Sequence, residues 1–276
     1  MKFSVKIRVS DMENIGEVIS LTFGDQGENH VGMEKVGNMV EKGEGFNLKD
    51  LKKYRSTFKK AGFKVEIYNL NSLHTEEYDT EEAYVMIVRK GINLFLNRAG
   101  KSDIDVLDEM KGFEWDRKFY CTRRKKVLNK HARSNVCFGE DSSEPDYENK
   151  KGRIVGYDQV SCLKRVKEGM SELLGNKCSN LICEGNCYFD LKKCGIGWHG
   201  DAERRKVVAF RVGETMDLRF NWFMRFKPFG KTLRLVLNSG DMYFMSEKAV
   251  GTDWKRSSIP TLRHSAGKEY SKYVKL

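Results

Sequence analysis

Gly195-Ile196-Gly197-Trp198-His199-Gly200-Asp201 and, farther on, Ile259-Pro260-Thr261-Leu262-Arg263-His264-Ser265-Ala266-Gly267 are the stretches from which this chain is read. Residues one and three of a triplet at a strand end point to the same side. His199 and Asp201 therefore share a side, and Gly200 between them lets another group approach closely. A His-x-acid triplet is weak evidence alone, and His74-Thr75-Glu76 is a second one in this chain. That one sits in an acidic run without strand alternation and reads as surface. His199 differs in context: Gly-x-Gly-Trp precedes it, and an apolar strand at 207–212 follows. Of the five histidines, only His264 comes after Asp201, and it lies on a β-like run. Two histidines and one carboxylate on one face of a metal leave the opposite face open, as in non-haem Fe(II) sites. His199, Asp201 and His264 are thus the candidate metal ligands and catalytic residues.

Around these residues the chain breaks into short strands at 180–184, 186–190, 196–199, 206–212, 217–225, 232–237, 241–246, 260–264 and 269–275. Glycine turns separate most of them. Many short strands at even spacing predict a β-sandwich or jelly roll. Upstream, Val- and Ile-rich strands are expected at 3–9 and 17–23, with a polar, Gly-rich stretch after them. His30, Glu28 and Asp25 in that stretch invite a metal reading, but a turn explains them better. Asn47 caps a helix running to about Ala61, and strands follow at 63–69 and 83–88. A short helix is expected at 103–110. This gives an α+β protein with an N-terminal α/β module, 1–115, and a β-rich domain, 116–276. Within the second, Asp158 is expected to cap a helix reaching Leu174. Val160, Leu163, Val166 and Met170 form its apolar stripe.

The net charge of +11 is unevenly placed. Residues 1–118 carry 19 Lys/Arg and 21 Asp/Glu, which leaves 31 and 18 for the remainder. A basic half is an electrostatic footprint for a polyanion. Its densest run, Arg123-Arg124-Lys125-Lys126 with Lys130, His131 and Arg133, follows Phe119 and Tyr120. That combination suits phosphate contact with base stacking, or else a solvated linker. All seven cysteines lie after residue 120, none in Cys-x-x-Cys spacing, which favours buried free thiols over a zinc site. No apolar run approaches the length of a membrane span. The N-terminus alternates without an apolar signal core. The expectation is an intracellular protein, cytoplasmic or nuclear, with no membrane partner.

Residues 180–267 resemble the double-stranded β-helix core of the Fe(II)/2-oxoglutarate dioxygenases, most of all the AlkB group. The resemblance rests on Asn186-Cys187-Tyr188, His199-Gly200-Asp201-Ala202-Glu203-Arg204, Phe210-Arg211-Val212-Gly213 and the Leu237–Met245 run around Gly240-Asp241. The whole chain is also similar to uncharacterised oxygenase-like proteins of large DNA viruses. The resemblance implies a C-terminal jelly roll binding Fe(II) through His199, Asp201 and His264. Asn186 and Tyr188 would hydrogen-bond 2-oxoglutarate, and Glu203 would order a neighbouring residue. Members of that group carry two arginines on the last strand, well after the distal histidine, and this chain has none there. Lys272 is the first candidate for the distal carboxylate, then Lys275, with Arg211 and Arg263 in reserve. Trp222, Phe223, Arg225 and Lys227 would border the site or simply pack in the sheet. The implied reaction hydroxylates or oxidatively dealkylates a nucleic-acid base, releasing succinate and CO2. A protein or peptide hydroxylase on the same core is the alternative, and a non-enzymatic binding module a third reading.

Overall fold

The computed structural model describes residues 16–75 and 77–268. The strands expected at 3–9 and 269–275, with Lys272 and Lys275, lie outside the described residues. The first third holds β1 (Val18–Gly24), β2 (Gln26–Glu28), β3 (Lys35–Gly37), β4 (Val65–Asn69) and β5 (Tyr84–Val88). A basic hairpin follows, β6 (Lys118–Cys121) and β7 (Lys126–Asn129), then β8 (Ser134–Gly139) and β9 (Ile154–Gly156). The rest comprises β10 (Ile182–Tyr188), β11 (Gly195–His199), β12 (Val207–Gly213), β13 (Met216–Met224), β14 (Lys227–Leu237), β15 (Met242–Met245) and β16 (Thr261–Gly267). The helices are α1 (Leu48–Lys60), α2 (Asn93–Leu96), α3 (Asp103–Glu109), α4 (Ser161–Leu174) and α5 (Glu247–Val250).

Alternation along each strand decides which layer it faces. The large sheet runs β4-β5-β15-β12-β1-β10-β8-β9, and a smaller one runs β11-β16-β13-β14. Ile19, Leu21 and Phe23 of β1, Val208, Phe210 and Val212 of β12, and Cys183 and Cys187 of β10 join one core with the helices. The opposite faces of β12 and β15 pack Val207, Ala209, Tyr243 and Met245 against Leu218, Phe220, Trp222 and Leu262 of the small sheet. The protein is therefore three layers: helices, large sheet, small sheet. The expected α+β class is what forms, with strands dominant, and the two sheets remain separate rather than closing into one barrel.

Local chemistry explains the helices. Asn47 accepts from Asp50 N while Asp50 accepts from Asn47 N, a reciprocal cap. Leu51, Tyr54 and Phe58 then form the buried stripe of α1. The expected cap of α4 does not form. The helix begins at Ser161, and the Glu109 carboxylate accepts from Cys162 N and Leu163 N. The turn expected at Gly185 is also absent, and residues 182–188 form one strand. A Cβ at Gly185 would lie 3.0 Å from the Trp115 indole, so this glycine makes room for an aromatic rather than a bend.

The 115/116 division expected from the sequence does not divide the sheet. β1 lies between β10 and β12, in antiparallel register with both, and β4 and β5 extend the same sheet beyond β15. Residues 116–276 expressed alone would leave β10 and β12 with a missing partner and their apolar faces exposed. We expect that fragment to lack a cooperative urea transition by circular dichroism, whereas the full chain shows one.

Candidate metal site and its cavity

His199 and His264 face each other in register across β11 and β16, which brings their ring centroids to 4.4 Å. Asp201 lies just beyond β11, its N–H donating to Val250 O at 3.0 Å. Its Oδ1 is 3.6 Å from Nε2 of each histidine. The three ligand atoms lie within 4.8 Å of one another, the only such group found among the described residues. The Asp201 anchor depends on Gly200. A Cβ there would lie 2.1 Å from Gly251 O, so only glycine lets the two backbone segments touch.

The protonation states suit ligation. His199 Nδ1 is 2.7 Å from Gly197 O, and a carbonyl can only accept, so Nδ1 carries the proton. The Nε2 lone pair is then left facing Asp201 and His264. Burial, helped by His264, pushes the His199 imidazolium down to about 3, so the ring is neutral at physiological pH. Burial alone would raise the Asp201 carboxyl. The neighbouring His264 and the charge of Arg204 outweigh it and hold the group well below the usual carboxylate range.

Arg204 is the buried hub behind the triad. Its Nη2 lies 2.5 Å from Glu184 and 2.8 Å from Glu203, and its Nε is 3.9 Å from Asp201. Glu203 was expected to order a neighbour, and that neighbour is Arg204. Burial, with Asp201 and Glu184 adding, raises the Glu203 carboxyl to about 7 against the pull of Arg204. Glu184 also accepts from Asn186 Nδ2 at 3.1 Å, and Asn186 Oδ1 accepts from Arg133 Nε at 2.7 Å and from Asn135 Nδ2. Sequence reading missed Arg204 and Glu184. The former closes the His199–Arg204 motif and the latter sits two residues before Asn186 on the same strand face.

These groups line a cavity of about 490 Å³ between the sheets, with Ser20, Tyr188, Arg211 and Tyr243 among its walls. Ser20 pairs in register with both Asn186 and Arg211, so the three form one row across β10, β1 and β12. Arg211 is 1% exposed. Its Nη1 donates to Met216 O at 2.6 Å, its Nε has no partner, and no carboxylate lies within ion-pair distance among the described residues. Burial lowers its pKa, with Tyr243 and Tyr188 acting the other way.

Other expected site residues are elsewhere. Arg263 follows the opposite alternation from His264, stacks on Phe223 at 4.4 Å and donates to Trp254 O. It does not line the cavity. Trp222 is in the core, donating to Leu70 O, and Phe223 sits with Arg263, so these two pack rather than border the cavity. His74 is not simply surface: its ring meets Trp222 and Phe229 edge-on. Asp25 accepts from Arg205 N, Lys206 N and Val40 N, a structural role. The seven cysteines are free, six of them buried. No helix among the described residues is long and apolar enough to cross a membrane.

No protein-family model matches the chain. Over 266 residues it is 42% identical to an uncharacterised protein of Acanthamoeba polyphaga mimivirus, covering 96% of this chain and 100% of that protein. The chain belongs to that protein's family. The match spans nearly the whole chain, so it takes in the central strand β1 as well as the triad segments.

Gly200→Ala forces Gly200 and Gly251 apart. We expect a stability loss of about 1–3 kcal/mol in denaturant melts. Stoichiometric divalent-metal binding by calorimetry should be lost with it, because Asp201 is displaced.

Proposed function

We propose that the protein is an Fe(II)/2-oxoglutarate-dependent oxygenase acting on a nucleic-acid base. The observation that carries this reading is one cavity holding a two-histidine, one-carboxylate group and, in another wall, a buried arginine without a counter-anion. Neutral imidazole and carboxylate suit Fe(II), and a facial set leaves positions open. The order β11-β16-β13-β14 packed on the large sheet supports a double-stranded β-helix in which β1 supplies a central strand.

His199, Asp201 and His264 would hold the iron, which when bound supplies the oxidising chemistry driven by decarboxylation of 2-oxoglutarate. Among the described residues, Arg211, held in reserve by the sequence, is the candidate for the distal carboxylate. Arg211 stands in the cavity wall in one row with Ser20 and Asn186. A guanidinium buried without an anion is costly, and a bound carboxylate relieves that cost. Burial raises the Tyr188 pKa, which keeps its hydroxyl a donor. Asn186 retains one amide hydrogen after bonding Glu184. Arg204 fixes Asp201 from behind. Leu218 and Ala266 give the small-sheet wall of the cavity an apolar lining. The basic half favours a nucleic acid over a protein substrate. Free thiols suit a reducing, intracellular compartment.

The test is anaerobic Fe(II) and 2-oxoglutarate binding, followed by O2 and a succinate assay with single-stranded DNA, RNA or a peptide pool. We expect His199→Ala to lose iron and succinate together. Absence of iron and succinate in the wild type would overturn the reading, and stimulation by peptide alone would move it to a protein hydroxylase. Arg211→Met should keep iron yet weaken 2-oxoglutarate by about 30-fold or more, since truncating one partner of a buried charge pair costs about 2–5 kcal/mol.

A further inference from the structure

Beside the cavity mouth, the hairpin of β6 and β7 walls a groove of about 570 Å³. Arg123, Arg124, Lys130, His131 and Arg133 line it, and no carboxylate does. Arg123 and Arg124 are exposed, at a hairpin tip where Lys125 takes a left-handed φ of 48°. Four consecutive cations packed into a tight turn repel one another, and a polyanion relieves that repulsion. On the groove wall the Phe119 ring stacks on His30, with centroids 3.7 Å apart and planes at 20°. Burial, with Lys130 and Arg133 adding, drives His30 down to about 4, so this pair is a neutral flat platform among cations. His30 and Arg133 also line the triad's cavity, so the two spaces adjoin. Arg133 bridges them physically, donating from Nε to Asn186.

We propose that this groove is a binding site for a single strand of nucleic acid, which feeds one base toward the cavity. Phosphates lie along Arg123 and Arg124, and a neighbouring base stacks at His30 and Phe119. An acidic peptide would use the cations but leave the aromatic platform idle, whereas every base has a face to stack on it. A duplex keeps its bases stacked and out of reach of a cavity enclosed between two sheets, and would have to flip one out. Only the fate of the delivered base rests on the oxygenase reading; the binding itself does not.

The experiment is fluorescence anisotropy of a labelled twelve-nucleotide oligothymidylate with the full chain in EDTA, so that no metal takes part. The variants are Arg123→Glu/Arg124→Glu, Phe119→Ala, and Lys59→Glu/Lys60→Glu on the exposed end of α1 as a control with the same change in net charge. The expected result is tight, salt-sensitive binding that weakens about tenfold or more in the arginine variant and less than threefold in the lysine control. The log–log salt slope should fall by about 1.4, the value for two lost phosphate contacts on a single strand. Phe119→Ala, checked by thermal melt for folding, should weaken binding about fivefold or more. Equal loss in both charge variants, equal affinity for a duplex of the same length, or equal affinity for polyglutamate of matched charge would each overturn the proposal. Oligonucleotide binding by a wild-type protein that takes up no Fe(II) in the separate anaerobic titration would sink the oxygenase reading and leave this one standing. Iron-dependent succinate formation without oligonucleotide binding would do the reverse.

Discussion

β1 is hydrogen-bonded along nearly its whole length to β10 on one side and β12 on the other. Everything else hangs from that double pairing. It closes the large sheet, sets the register that aligns Asn186, Ser20 and Arg211, and presents Ile19, Leu21 and Phe23 to the helical core. A one-residue slip would exchange the two faces, burying Ser20 and Thr22 among phenylalanines and turning the apolar residues into the cavity. The cavity is thus a consequence of register before it is a consequence of any ligand.

The two buried arginines show how the same side chain takes opposite roles. Arg204 meets Glu184, Glu203 and Asp201 and is neutralised locally. It serves as a strut, holding the backbone turn that carries Asp201. Arg211 donates to a carbonyl, has two tyrosines near it and no carboxylate within ion-pair distance among the described residues, and it lines the cavity. In a low-dielectric interior an uncompensated cation is retained only where something negative arrives.

The triad was legible because its geometry is local twice over: a triplet at one strand end, and a lone histidine on a β-like run. Asn186 and Tyr188 came from the resemblance alone, and the alternation of β10 puts both in the cavity. The helix cap at Asn47 needed only three residues of context. What the chain order hid was pairing between distant segments. Nothing within Val18–Gly24 says that its neighbours are residues 182–188 and 207–213, so the N-terminal third looked like a separate module. The row that puts Arg211 beside Ser20 is likewise a matter of pairing between distant strands, invisible in the order of the chain. Gly185 was misread for a related reason: its vacant Cβ accommodates Trp115, a contact spanning seventy residues of chain.

The central place of β1 also sets a timetable. About 160 residues separate it from β10. At ribosomal rates of 5–20 residues per second, a strand with one wholly apolar face waits about 8–30 s for its first partner. Until then it offers two open hydrogen-bonding edges to any other extended chain. A sheet whose middle is made early and paired late folds slowly, through long-range closure rather than local zippering. Its yield in a crowded cell then depends on whatever shields that segment during synthesis.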